Sequence, residues 1–216
     1  MTKRALVLIG SPKGLERSNS ARYAHVLTAP FEEEGWAIDW VHAHSAVASE
    51  SRIGEFVAAL SAARLVVVVA PLYVDSLPAP VLRTFERITD ARRRSKEESG
   101  VPRLAAVIQC GFVEPRQNET AVAICRAFAA EAGLEWFGSL ILGGGGMPRR
   151  RITRALRAAG EALATGFPIP PQVRRRANRP VMPRLLYVIG GNLMWRRMAK
   201  RNGVSKAELL AAPYER

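Results

Sequence analysis

Residues 65–70, Leu-Val-Val-Val-Val-Ala, constrain this chain more than any other stretch. The run is β-branched and uncharged, and its polarity does not alternate, so the strand it forms needs cover on both faces. A strand covered on both faces belongs in the middle of a parallel sheet with helices above and below. The rest of the chain repeats that need. Ala5–Ile9 is a second continuous apolar run, ending at Gly10. Trp36–Val41, Leu104–Cys110 and Glu135–Leu142 read as three further strands. Between them lie segments of helical spacing. Residues 18 to about 34 place Ala21, Ala24, Leu27 and Phe31 on one face, with Pro30 predicting a kink or a stop just before it. Ile53, Phe56, Val57 and Leu60 mark a second helix, and Pro78 or Pro80 opens a third that runs to about Ile88. Residues 90–100 are charged and polar, a solvated loop or a loose helix end. Residues 119–132 form a fourth helix stopped by Gly133, and residues 152–164 form a fifth. Five strands, each followed by a helix, predict a three-layer α/β sandwich around a parallel sheet.

Right-handed crossovers leave two common strand orders, 3-2-1-4-5-6 and 2-1-3-4-5. Both bind ligand beyond the carboxyl ends of the strands, where the order reverses. The segments to inspect are therefore 10–20, 71–78, 110–118 and 143–148. The first, Gly-Ser-Pro-Lys-Gly-Leu-Glu-Arg-Ser-Asn-Ser, joins a strand to a helix start. Free backbone N–H groups and the positive dipole end suit a phosphate there, and Ser11, Ser18, Asn19 and Ser20 add donors. The same serine, Ser18, also suits a plain helix cap. The loop matches neither G-x-G-x-x-G nor G-x-x-x-x-G-K-[ST], which disfavours dinucleotide-fold and P-loop sites. The second segment, Pro71-Leu72-Tyr73-Val74-Asp75-Ser76, offers an aromatic and backbone amides to a flat ring, or is a proline-rich turn. The glycines at 143–146 either approach a ligand closely or make a flexible turn.

Taken in order, GSPKGLERSNS, PLYVDSLPAPVLRTFERI and Gln109-Cys110-Gly111-Phe112-Val113-Glu114 resemble the flavodoxin-like NAD(P)H-dependent FMN reductase family over roughly residues 4–148. The resemblance implies a flavodoxin-like sheet of order 2-1-3-4-5, with residues 1–165 as an FMN-binding domain and 166–216 as linker and basic helical extension. It implies that Ser11, Ser18, Asn19 and Ser20 hold the FMN phosphate and that Arg17 adds charge. Pro71, Leu72, Tyr73, Val74, Asp75 and Ser76 would border the isoalloxazine ring, with Gly111, Phe112 and Glu114 at its other edge. NAD(P)H would reduce FMN, and a quinone, free flavin or other small molecule would accept the electrons. Tyr73 is the expected gate or stacking group, no side chain need act as acid or base, and a homodimer is expected by analogy. Relatives with an iron–sulfur cluster use closely spaced cysteines, which are missing here. A flavodoxin-like electron carrier and a flavin-free scaffold are the alternatives.

No HExxH or G-x-S-x-G motif supports a hydrolase, and His42 and His44 have no neighbouring ligand to complete a metal site. Cys110 and Cys125 form no CxxC and read as buried thiols of a reducing compartment. With no leader pattern in Arg4–Gly10, a cytoplasmic protein is expected. Charge divides the chain in two. Residues 1–148 hold 16 basic and 16 acidic side chains, and residues 149–216 hold 16 basic against 3 acidic. The whole net charge of +13 therefore sits in the last third. There the segment Met182–Trp195 is apolar and bracketed by arginines, running into Arg196–Arg201 as a basic helix. It fits peripheral membrane contact, or a helix docked on the body or across a dimer. Nucleic acid is disfavoured, because no reading motif accompanies the charge.

Overall fold

The structure is a computed structural model and describes residues 3–13, 18–94, 101–146 and 150–211. Strands β1 (Arg4–Ile9), β2 (Ala37–His42), β3 (Leu65–Pro71), β4 (Arg103–Gln109) and β5 (Glu135–Leu142) form one sheet. Its order is β2-β1-β3-β4-β5 and every pair is parallel, as expected. β3 is buried along its whole length, and the edge strand β2 is only partly buried. Alternate residues of the central strands feed two separate cores. Val7, Ile9, Val67 and Val69 face α1 (Asn19–Glu33) and α6 (Arg150–Ala164). Leu6, Leu8, Val66 and Val68 face the opposite layer, with α2 (Ala43–Ala46), α3 (Glu50–Ala62), α4 (Ala79–Arg94) and α5 (Glu119–Glu131). In that layer Phe85 and Phe128 stack with centroids 3.9 Å apart.

The stop expected at Pro30 does not occur. α1 runs through Pro30 to Glu33, with the proline buried. Its ring packs against α6 at Gly160, where any side-chain carbon would meet Pro30 Cγ at 3.2 Å and collide with the carbonyl of Leu27. Burial between two helices outweighs one missing backbone hydrogen bond.

Packing continues past residue 165. Ile169 N–H donates to Phe137 O at 3.0 Å along the outer edge of β5. Ile169 and Ala177 are buried, so α7 (Pro171–Ala177) closes that edge. Beyond it, α8 (Arg184–Arg201) has no buried residue, and the short α9 (Lys206–Leu210) follows. No described helix is long and apolar enough to cross a membrane.

Candidate functional site

The order of the strands places the reversal between β1 and β3. The loops that leave their carboxyl ends lie side by side, and a cleft of about 250 Å³ opens between them. The first loop and the start of α1 contribute Ser11, Lys13 and Asn19, and the end of β3 with the loop after it contributes Pro71, Leu72 and Tyr73. Gln109, Cys110 and Gly111 close the side toward β4, and Gly145 closes it toward β5. A larger cleft of about 530 Å³, with Arg126, Arg174 and Arg175, lies beside β5 between α5 and α7 and includes none of the expected residues.

At the start of α1, Ser18 is the cap: its Oγ accepts from Ala21 N–H at 3.0 Å. The hydroxyl proton of Ser18 is still available to donate. Ser20 is fully buried, and its Oγ has no hydrogen-bond partner. A buried hydroxyl without a partner is costly, and a ligand acceptor would relieve it. The first N–H groups of the helix have no intrahelical acceptors either. Ser11 Oγ accepts from Lys13 N–H at 3.2 Å, which turns the chain at the mouth of the cleft. Arg17 lies outside the described residues.

The second loop is a tight turn. Tyr73 and Ser76 exchange backbone hydrogen bonds at 2.8 and 3.0 Å. Between them Val74 and Asp75 have φ of +48° and +58°. Left-handed backbone is uncommon for any side chain, and for a β-branched one it is strained. Val74 gains nothing from burial, being 98% exposed. Tyr73 is half exposed and lines the cleft, whereas Val74, Asp75 and Ser76 are not among its lining residues.

The third loop is held from beneath by Asn118. Its Nδ2 lies 2.9 Å from Pro115 O, 3.2 Å from Leu142 O and 3.3 Å from Cys110 Sγ. Burial pushes the Cys110 thiol up, opposed in part by its hydrogen bonding with Phe112 and Asn118, and burial drives Cys125 up to about 12. Neither is a ready thiolate nucleophile. Gly111 borders the cleft, while Phe112 is exposed and is not among its lining residues. Glu114 points elsewhere, pairing with Arg184 at 3.8 Å.

The glycine run holds backbones together and brings one of its residues to the cleft. A side chain at Gly143 would meet Val113 O at 2.7 Å, and Gly144 N–H donates to Phe112 O at 2.6 Å. Gly145 N–H donates to Cys110 O at 2.7 Å, and Gly146 is pinned to α1 through Arg22 and Tyr23. The run is a clasp between backbones, in which only Gly145 reaches the cleft. The motif residues Gln109 and Cys110 carried no assigned role in the sequence, and neither did Lys13. A polar residue closing an apolar strand, as Gln109 does, is the signal that marks such a position.

No family's sequence model and no curated protein matches the chain. Solved structures do. An NAD(P)H:quinone oxidoreductase from Methanothermobacter marburgensis is 16% identical with a TM-score of 0.57, over 76% of this chain and 100% of its own. An FMN-dependent NADH-azoreductase from Bacillus anthracis, solved with FMN, is 13% identical with a TM-score of 0.56, over 76% and 98%. The chain has the flavodoxin-like fold. A rubredoxin oxygen:oxidoreductase from Desulfovibrio gigas contains the flavodoxin-like unit too, at 13% identity and a TM-score of 0.55; the match covers 82% of this chain but 37% of that protein.

Proposed function

We propose that this protein is an NAD(P)H-dependent flavin oxidoreductase that holds FMN in the cleft between β1 and β3. The observation that carries the reading is the junction of β1 and α1, where Ser11, Lys13 and Asn19 line the cleft at a helix start and the next residue, Ser20, keeps a buried hydroxyl without a partner. Those donors suit a phosphate monoester. The residues present fit the group. Ser11, Ser18, Asn19 and Ser20 bind its phosphate and Lys13 supplies the positive charge. Pro71–Ser76 and Gly111–Phe112 border its ring system. Bound FMN supplies hydride acceptance from a reduced nicotinamide and onward reduction of a small molecule such as a quinone or a flavin. The protein's share is orientation: the Tyr73–Ser76 turn fixes one wall, the Asn118-held loop fixes the other, and half-exposed Tyr73 covers the entrance. The structural neighbours with quinone, azo and FMN chemistry support this reading at the level of the fold.

The test is the visible spectrum of protein mixed with FMN and desalted, followed by anaerobic NADPH or NADH. A retained band that bleaches is expected. A retained band that neither nucleotide bleaches would make the protein an electron carrier instead, and no retained flavin on folded protein would overturn the proposal.

A further inference from the structure

The cleft of about 530 Å³ beside β5 is larger than the one between β1 and β3, and three elements build it. Glu119, Val122, Ala123 and Arg126 come from α5, at the spacing that puts side chains on one face of a helix. Pro171, Arg174, Arg175 and Asn178 repeat that spacing along α7 and its cap. Ser139 and Ile141, on one face of β5, form the floor between the two helices.

The helices run in opposite directions along that strand. Just before α5, Asn118 Nδ2 donates to Leu142 O at the carboxyl end of β5. Further along α5, Arg126 lies over Trp136, near the amino end of β5, 5.7 Å from the ring centroid. α7 goes the other way: Ile169 N–H before it donates to Phe137 O, and Val181 after it lies against Gly144. Glu119 and Asn178 therefore share one end of the cleft. Arg126 lies toward the other, with Arg174 and Arg175 on the wall across from it.

The positive charge gathered there is left unanswered. Arg4, Arg87, Arg103 and Arg157 each pair with a carboxylate elsewhere on the body. Among the described residues, Arg126, Arg174 and Arg175 pair with none, and Glu119 pairs with no cation. Three guanidiniums around one concavity repel each other, and the concave wall focuses their field. Packing fixes their aim. α7 turns Val173 and Ala177 toward the core, which leaves Arg174 and Arg175 on the cleft side, and the Trp136 ring holds Arg126.

These groups define a ligand. The guanidinium fork takes phosphate oxygens two at a time, and a phosphate dianion turns the repulsion into attraction. Val122, Ala123 and Ile141 offer an apolar stretch beside the arginines. At the far end the Glu119 carboxylate accepts, and the Asn178 amide donates or accepts, a hydrogen bond from a hydroxyl or amino group. The volume lies in the range that small organic ligands fill. We propose that this cleft is a second ligand site, which takes a phosphorylated small molecule of nucleotide size with its phosphate between Arg126, Arg174 and Arg175. The inference does not rest on the flavin reading, and its test uses the full chain without flavin.

The test is calorimetric titration with ADP and with inorganic pyrophosphate at physiological salt. Both should bind, ADP more tightly, because its sugar and base cover the apolar stretch and reach Glu119. Arg174→Gln with Arg175→Gln should weaken both by at least about tenfold, with an unchanged far-ultraviolet spectrum. Arg126→Gln, on a different element, should weaken both as well. Arg196→Gln with Arg197→Gln removes the same two charges from the exposed α8 and should leave both affinities unchanged. Failure of ADP to bind the folded wild type, or ADP bound no more tightly than pyrophosphate, would overturn the inference. So would equal losses in the two double variants, the result of an unspecific basic surface, or ADP binding indifferent to all three cleft arginines.

Discussion

Val74 shows what a single residue contributes at this site. A β-branched side chain held at φ +48° in a two-residue turn costs about 1–2 kcal/mol in local strain. Glycine would remove that strain but returns about 0.5–1 kcal/mol through its freedom in the unfolded chain. The difference favours glycine, so Val74→Gly should raise the melting temperature by about 2 °C in a chain of this size, followed by circular dichroism. A lower melting temperature would show the turn to be unstrained. At this scale the sequence was readable only where side chains obey local rules. Ser18 caps the helix because serine in that position accepts from the backbone. The left-handed turn at Val74 was not readable, because valine is among the poorest residues for it and the two Tyr73–Ser76 hydrogen bonds impose it. Nor was the isolation of the Ser20 hydroxyl, which depends on what surrounds it after folding.

Between elements, the contact of α1 with α6 depends on one missing side chain. On an exposed helix Gly→Ala gains about 1 kcal/mol of helix propensity. At Gly160 the added carbon would run into the backbone carbonyl of Leu27, which cannot move without shifting α1. Overpacking of that kind costs about 1–3 kcal/mol or more, so the sign reverses. Gly160→Ala should lower stability in urea unfolding by about 2 kcal/mol relative to wild type. A stabilised variant would mean that the helices can slide apart freely. Apolar periodicity located every strand and the five main helices, because each buries a face that the pattern encodes. It did not locate the end of the body packing, since Ile169 and Ala177 sit in the core beyond a proline-rich stretch. Nor did it show that α1 would run on past Pro30, where packing against a neighbouring helix decides the outcome and local propensity does not.

Across the whole molecule, the sheet order brings four strand ends to one cleft, and the chain after residue 148 carries all the net charge. The cleft positions were legible as an ordered set of loops, because βα connections in a parallel sheet all emerge on one side. Which side chains turn into the cleft was legible only in part: Ser11, Asn19, Pro71, Leu72, Tyr73 and Gly111 line it, Ser18, Ser20, Val74, Asp75, Ser76 and Phe112 are not among its lining residues, and Glu114 turns away to Arg184. On the function proposed above, the cleft holds a flavin by its phosphate. The direct measurement compares FMN with riboflavin, which has the same ring and no phosphate, by quenching of flavin fluorescence on titration with protein. Charge-assisted hydrogen bonds at the start of α1 are each worth about 1.5–3 kcal/mol, so FMN should bind at least about tenfold more tightly than riboflavin. Equal affinity for the two, or no binding of FMN by the folded protein, would contradict the account.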